Sequence, residues 1–269
     1  MVAMAGIVIK GSLKKICMKG WIACVSNYFD EKHQGKLSPL FRFNRVSYMK
    51  QNQLTRNNII LLICLLIFIL FFPVLSLYKV LMKHLLFTSI VLFGTFSLNF
   101  VKRAQKILIA SGIVTISLNW LDLFFTNQVL DLVFFFSFFC FNLFIVVFMV
   151  RHIAKSKNVN LTIIINSING YLLIGILGAV LLAMTEILQK FLYHTDTGAI
   201  NFAGGTARGF YDFIYLSFVT LTTLGYGDIT PISAFAKSVA LSIAITGQLY
   251  LTILIAILVG KFLSRTKTA

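Results

Sequence analysis

Acidic residues are scarce in this chain of 269 residues, which has 8 Asp and Glu against 24 Lys and Arg. Charged residues of both signs make up only 12% of the sequence, whereas a soluble domain has about a quarter. Hydrophobic residues reach 58%, and the mean hydropathy is +0.90. This composition excludes a soluble enzyme, a disordered chain and a nucleic-acid-binding module, although a net charge of +16 would suggest nucleic acid in a soluble protein.

Proline, cysteine and histidine are also few. With 3 Pro, the long apolar runs are free to form unbroken helices. The 4 Cys are too few and too scattered for a disulfide framework. The 4 His and the 8 acids are scattered rather than clustered, which argues against a membrane enzyme. We therefore expect no enzymatic activity.

Long hydrophobic runs fill the remaining sequence. A membrane helix needs about 20 mostly apolar residues, and six runs approach or exceed that length, at 57–78, 84–101, 107–130, 132–150, 158–185 and 238–260. A seventh run, at 210–224, is too short to span and predicts a re-entrant element. The sequence therefore predicts an all-α membrane protein with six transmembrane helices and a re-entrant helix between helices five and six.

The positions of the basic residues predict the orientation. If the N-terminus is cytoplasmic, the inner segments hold 19 Lys and Arg and the outer segments hold 5. Because cytoplasmic loops of membrane proteins are enriched in Lys and Arg, both termini are expected in the cytoplasm. Residues 1–56 form a basic cytoplasmic segment, for which anionic inner-leaflet lipid is a candidate partner.

The segment between the last two runs carries a glycine-rich motif, Thr223-Leu224-Gly225-Tyr226-Gly227, followed by Asp228. This motif resembles the selectivity filter of the tetrameric pore-loop potassium channel superfamily, whose common form is Thr-Val-Gly-Tyr-Gly. The resemblance extends from about residue 167 to residue 263. It implies an outer helix, a pore helix over about 210–222, the filter and an inner helix. It further implies potassium ions bound at Thr223 to Gly227, no other cofactor and a homotetramer.

The residue types of the motif suit this chemistry. A potassium ion that leaves water needs its hydration shell replaced, and rings of backbone carbonyl oxygens replace it in a filter. Gly225 and Gly227 can adopt positive φ without a Cβ penalty, which lets successive carbonyls aim at one axis. The resemblance implies that the Thr223 hydroxyl adds an innermost oxygen ring and that Tyr226 points toward the pore helix. Leu224 replaces the commoner Val, but its carbonyl carries the role, so we expect selectivity to survive.

Three further residues are expected around the filter. Asp228 would form a ring of carboxylates at the outer mouth and concentrate cations there. Tyr215 lies where family members have an aromatic residue that donates a hydrogen bond to this Asp, although packing alone is the alternative. Val219 stands where some members have a buried acid. We expect Tyr215 and Val219 to support the filter.

The last helix carries the candidate hinge and gate. Gly247 lies at the spacing of the family's glycine hinge, with close helix packing as the alternative. One helix face is expected to line the cavity and to gate by dewetting, unless it only packs against other helices. Its residues are Gln248, Leu251, Ile255 and Val259. At the outer end of the fifth helix, Glu186 and Lys190 are expected to form a screened surface pair, with a buried structural Glu as the alternative.

The first four helices resemble the sensor domain of voltage-gated cation channels without its arginine array. The fourth run, 132–150, contains no charge, and Arg151 comes only at its inner end. Each charge that moves through the membrane field supplies about 2.3 kcal/mol per 100 mV for voltage sensing. Because this run carries no charge, that source of energy is missing here. The expected domains are the basic segment 1–56, a sensor-like four-helix domain at 57–157 and the pore domain at 158–269.

These observations predict a potassium-selective channel of the plasma membrane that conducts passively and is not strongly voltage-gated. Two alternatives remain, a subunit of a potassium uptake transporter and a weakly selective cation channel. Transporters related to this superfamily carry four degenerate pore loops in one chain, whereas this chain has one loop with the complete motif. Membrane lipids and identical subunits are the expected partners, and nucleic acid is not.

Overall fold

The computed structural model describes residues 39–76, 80–97, 102–125, 127–156, 159–193, 198–202 and 209–266. The chain divides into two units at residue 50, and of the first unit only the helical residues 39–50 are described. Most of the basic segment 1–56, with its predicted lipid contact, therefore lies outside the described residues.

The described residues form seven α-helices and one small antiparallel sheet. In chain order they are α1 (Pro39–Ser76), α2 (Val80–Ser97), α3 (Lys102–Leu121), α4 (Gln128–Lys155), α5 (Leu161–Tyr193), β1 (Ile200–Phe202), α6 (Phe210–Leu221), β2 (Ile229–Pro231) and α7 (Ala234–Thr266).

Four of these helices contain stretches long and apolar enough to cross a membrane. The stretches are Gln53–Phe72 in α1, Gln128–Lys155 in α4, Leu161–Leu192 in α5 and Ala234–Lys261 in α7. The apolar parts of α2 and α3 are shorter, at Lys83–Ser97 and Gln105–Leu121. The chain is thus a mostly helical, multi-pass membrane protein, and the count of six spans stays a prediction.

The third predicted run, 107–130, was wrong as a single helix. Helix α3 ends at Leu121, a turn follows, and α4 begins at Gln128. Asn127 caps α4, because its side chain accepts a hydrogen bond from the Val129 amide at 3.0 Å. In the turn, Asp122 pairs with Lys83 of α2 at 3.0 Å. The turn at Asp122 and the cap at Asn127 thus separate α3 from α4, although hydropathy continues through them.

Phenylalanine rings fill the core between α1, α2 and α4. Phe68 of α1 contacts Phe87 of α2 edge-on, with ring centroids 5.4 Å apart. Phe87 in turn contacts Phe134 and Phe138 of α4 at 5.3 and 5.0 Å. All four side chains are buried, and edge-to-face geometry of this kind is favourable for aromatic rings.

Polar contacts show which helix ends lie together. Thr55 of α1 is hydrogen bonded to Thr162 of α5 at 2.6 Å. Lys261 of α7 donates to the carbonyl of Ile153 in α4, also at 2.6 Å. Thr55 in the middle of α1, the end of α4, the start of α5 and the end of α7 therefore share one end of the second unit, which we call the basic end because Arg56, Arg151, Lys155 and Lys261 lie there.

Candidate functional site

The short helix α6 lies between α5 and α7 and leads into the motif. It ends at Leu221, one residue before the boundary that the sequence predicts, because Thr222 caps it through a backbone hydrogen bond to the Phe218 carbonyl. The helix packs closely on α5. Ser217 donates to the Gly175 carbonyl at 2.6 Å, and the Phe218 ring occupies the space where a Cβ on Gly175 would lie.

The amides of the motif turn back toward the end of α6. The Leu224 and Gly225 amides both donate to the Val219 carbonyl, at 3.0 and 3.3 Å. In a trans peptide the carbonyl of one residue points opposite to the amide of the next, and no peptide bond here is cis. The carbonyls of Thr223 and Leu224 therefore point away from Val219. Support from Val219 thus comes from its backbone oxygen, while its buried side chain carries no charge.

Both glycines of the motif have the positive φ that the sequence predicts, 59° at Gly225 and 82° at Gly227. A Cβ on either would meet no atom within 4 Å, so the backbone conformation and not the space demands glycine. Thr223 also has a positive φ of 63°, which the sequence did not indicate. A β-branched residue rarely adopts this region, and the strain is on the order of 1–3 kcal/mol. The hydrogen bonds to the end of α6 hold the residue in this conformation.

Two tyrosines and an aspartate connect the motif to the face of α6. The Tyr215 hydroxyl donates to Asp228 Oδ2 at 2.8 Å, so the predicted hydrogen bond is present. That hydrogen bond and the nearby negative charge favour the protonated phenol and raise the pKa of Tyr215 above its ordinary value. The Tyr226 ring stacks parallel to Tyr215 at a centroid distance of 6.5 Å. Tyr226 therefore faces α6, as predicted.

Glu186 of α5 pairs with Lys190 as predicted, but it is buried and not at the surface, as the alternative held. Its side chain is 7% exposed, although it does contact Lys190 at 3.1 Å. The other carboxylate oxygen accepts hydrogen bonds from the amides of Ala199 and Ile200, at 2.6 and 3.1 Å. The Ala199 carbonyl in turn accepts from the Ile232 amide at 2.9 Å. Glu186 thus anchors β1, which pairs with β2 directly after Asp228.

Gly247 packs against the end of α6. A Cβ at this position would lie 2.6 Å from the Leu221 carbonyl oxygen and 2.7 Å from its Cδ1. Only a residue without a side chain allows this approach, so the packing alternative describes the observed contact. The other candidate residues of α7 are not packed as closely as Gly247. In the single chain, Gln248, Ile255 and Val259 are exposed and Leu251 is half-buried.

The first residue of α6 contacts helices α1, α2 and α4 of the same chain. The Phe210 ring lies 5.2 Å from Phe87 of α2 and 5.3 Å from Phe135 of α4, where it stacks. It also meets Phe72 of α1 edge-on at 6.1 Å. The sequence left open which pore these helices pack beside, and this cluster joins them to the short helix of their own chain.

The arrangement offers backbone carbonyls, and not a cluster of side chains, as ligands for a cation. Within the described ranges, no group of three or more His, Cys, Asp or Glu side chains could hold a metal ion. Among the described residues between 161 and 266, the elements besides the two short strands are a long buried helix, a short helix, an exposed segment with turned carbonyls and a second long helix. This order of elements is the one expected from the resemblance to pore-loop channels.

A comparison with known protein families matches part of the chain. Residues 180–264 match the family described as "Ion channel". The match covers the end of α5, the short helix, the motif and nearly all of α7. These 85 residues are therefore similar to an ion-channel domain. No curated protein and no solved structure matches the chain.

Proposed function

We propose that this protein is a potassium-selective channel, with Thr223 to Gly227 as its filter. The observation that carries the proposal is the direction of the backbone in this segment. The amides of Thr223, Leu224 and Gly225 donate to carbonyls at the end of α6, so the carbonyls of Thr223 and Leu224 are left for another partner. A dehydrated potassium ion needs several carbonyl oxygens in successive rings. The match to ion channels supports a pore at this place but does not specify the ion.

Two electrostatic features favour a cation on the proposed path. The C-terminus of α6 at Leu221 carries the negative end of a helix dipole, equivalent to about half an elementary charge. Asp228 is exposed on the other side of the motif, where a ring of carboxylates would raise the local cation concentration. The ion would therefore pass between two regions of negative potential.

The proposed pore needs four copies of the chain. One chain gives one carbonyl to each ring, and a single strand cannot surround an ion. Helix α7 is suited to contacts between copies, because only 11% of its apolar stretch is buried in the single chain, against 61% in α5. Four identical chains with cyclic symmetry would place Gln248, Leu251, Ile255 and Val259 around a common cavity.

Orientation and gating complete the proposal. The basic end faces the cytoplasm of a plasma membrane by the distribution of Lys and Arg. Between Asp131 and Arg151, α4 has no charged residue, so the channel lacks the usual source of voltage dependence.

Reconstitution in liposomes tests selectivity directly. Under bi-ionic conditions, the reversal potential should lie close to that of a membrane permeable to potassium and nearly impermeable to sodium, and barium should block the current. Equal permeability to the two cations would contradict the proposed filter.

Mixing of subunits tests the four-chain pore. If a quarter of the pool carries Gly225→Ala and one such chain disables the pore, random assembly leaves about a third of the tetramers fully wild type. Residual current near three quarters would mean that each chain conducts alone.

Single-channel recording separates the channel from the transporter alternative. Discrete current steps at rates beyond a transport cycle are expected in bilayers that contain only the purified protein. Flux without resolvable steps, at the turnover of a carrier, would favour the transporter subunit.

A further inference from the structure

A pocket opens at the basic end between α1, α2 and α3, and its residues precede the filter by more than 100 positions in the sequence. Its volume is about 330 Å³, within the range of small-ligand sites. Six residues line it, namely Gln53, Asn57, Ile60, Phe93, Phe96 and Gln105.

The pocket has one polar wall and one apolar wall. The polar wall consists of amides, with Gln53 and Asn57 one turn apart on α1 and Gln105 in the first turn of α3. Asn57 is held in place because its Nδ2 donates to the Phe96 carbonyl at 3.1 Å. The apolar wall stays open to the surroundings, since Phe96 is 52% exposed and both Phe93 and Ile60 are 36% exposed. A ligand that fits both walls is amphipathic.

Positive charge lies beside the amide wall. Arg56 is three residues after Gln53 and four before Ile60, so it shares their face of α1, and it is exposed. Lys106, also exposed, follows Gln105 in α3. The N-terminus of α3 adds the positive end of a helix dipole on the same side. These charges next to the pocket favour an anionic polar group in the ligand.

We propose that this pocket binds one anionic phospholipid of the bilayer. Its phosphate lies against the amides of Gln53 and Gln105, where Arg56 and Lys106 neutralise the charge. Its acyl chain lies along Phe93 and Phe96. Uncharged amides suit the phosphodiester oxygens and the glycerol esters, which accept hydrogen bonds. The exposed apolar wall favours a lipid over a soluble anion, because a soluble anion gains nothing from contact with phenylalanine rings.

Native mass spectrometry of the full chain, purified with phosphatidylglycerol or phosphatidylcholine, tests the proposal. Wild type should retain phosphatidylglycerol more tightly than phosphatidylcholine. The double variant Arg56→Gln/Lys106→Gln should weaken this binding about fivefold for each cation removed. The matched control is Arg151→Gln/Lys155→Gln, which removes two exposed cations from the same end of the molecule. An equal loss in the control would reduce the effect to general surface attraction and would overturn the proposal.

A fluorescence experiment places the acyl chain without weakening the cation pair. The fluorescence of the tryptophan introduced by Phe93→Trp should be quenched more by phosphatidylglycerol with brominated chains than by the corresponding phosphatidylcholine. The quenching of the native tryptophans in wild type is the baseline. This arm stands even if the double variant fails to fold. Equal quenching by the two lipids would contradict an anion-selective site. Displacement of phosphatidylglycerol by glycerol phosphate at similar concentration would instead identify a soluble-anion site and would overturn the lipid assignment.

Discussion

Replacement of Gly247 by alanine distinguishes a hinge in α7 from a packing contact that positions the filter. A Cβ at this position would lie 2.6 Å from the Leu221 carbonyl oxygen, a separation that real Cβ atoms essentially never show. Ordinary contact begins at 3.4 Å, so α7 and the end of α6 must separate by several tenths of an ångström. The neighbouring atom is backbone and cannot rotate away. Leu221 is fully buried and lies two residues before Thr223, so the displacement reaches the first residue of the motif.

The expected cost is about 1–3 kcal/mol, the usual range for overpacking a well-packed interior. If this cost falls on the conducting conformation, the ratio of conducting to nonconducting filters falls by roughly 5- to 150-fold. Potassium selectivity should fall as well, because the carbonyls of the motif lose their fixed position. Reversal potentials and open probability of Gly247→Ala in bilayers measure the two effects.

Gly260→Ala is the matched control, because it makes the same replacement in the same helix. A Cβ at Gly260 meets no atom within 4 Å. Both substitutions raise helix propensity by about 1 kcal/mol, so any difference between them comes from the contact with Leu221. A pure hinge predicts that Gly247→Ala changes open probability while the reversal potential stays at the wild-type value. That result would refute the packing argument.

Three further outcomes are expected. Tyr215→Phe, which removes the hydrogen bond to Asp228, should shift the filter toward nonconducting states by roughly 10- to 150-fold and speed the decay of current, since hydrogen bonds to charged groups contribute about 1.5–3 kcal/mol. Tyr171→Phe is the control, and equal decay in the two variants would contradict the role of the bond. Glu186→Gln should lower the unfolding temperature more than Lys190→Gln does, because the buried carboxylate holds two backbone amides whereas the half-exposed lysine makes only a screened pair; a larger effect at the lysine would refute this. Open probability should vary little with voltage, and a conductance–voltage curve with several elementary gating charges would contradict the uncharged α4.

The local features of the site were predictable from the sequence. The signs of φ at Gly225 and Gly227 follow from the residue type, and α6 was predicted within one residue of its observed end. The hydrogen bond between Tyr215 and Asp228 was expected from the resemblance, and it is present. The positive φ of Thr223 had no sequence signal, because threonine disfavours that conformation and only hydrogen bonds to the preceding helix maintain it.

The helix boundaries show where hydropathy fails. Hydropathy alone joined α3 to the start of α4, because the turn at 122–125 is apolar apart from Asp122. Two contacts mark the break between α3 and α4: Asn127 caps the start of α4, and Lys83 pairs with Asp122 in the turn. Asn127 is a residue type that favours helix N-termini, so this boundary did have a local signal. The ion pair did not, since its partners are 39 positions apart.

By itself the sequence determined that the chain is built from apolar helices, that one short segment between the last two carries a filter-like motif, and that α4 lacks a charge array. These properties depend on composition and on spacing within a few residues. Only the tertiary structure decided that Glu186 is buried beneath β1, that Gly247 meets the end of α6 and that Phe210 packs against helices of its own chain. Each of these contacts joins residues at least 13 positions apart. A glutamate, a glycine or a phenylalanine has the same local preferences whether its distant partner is present or absent, so burial and packing between helices, and not local propensity, select these contacts.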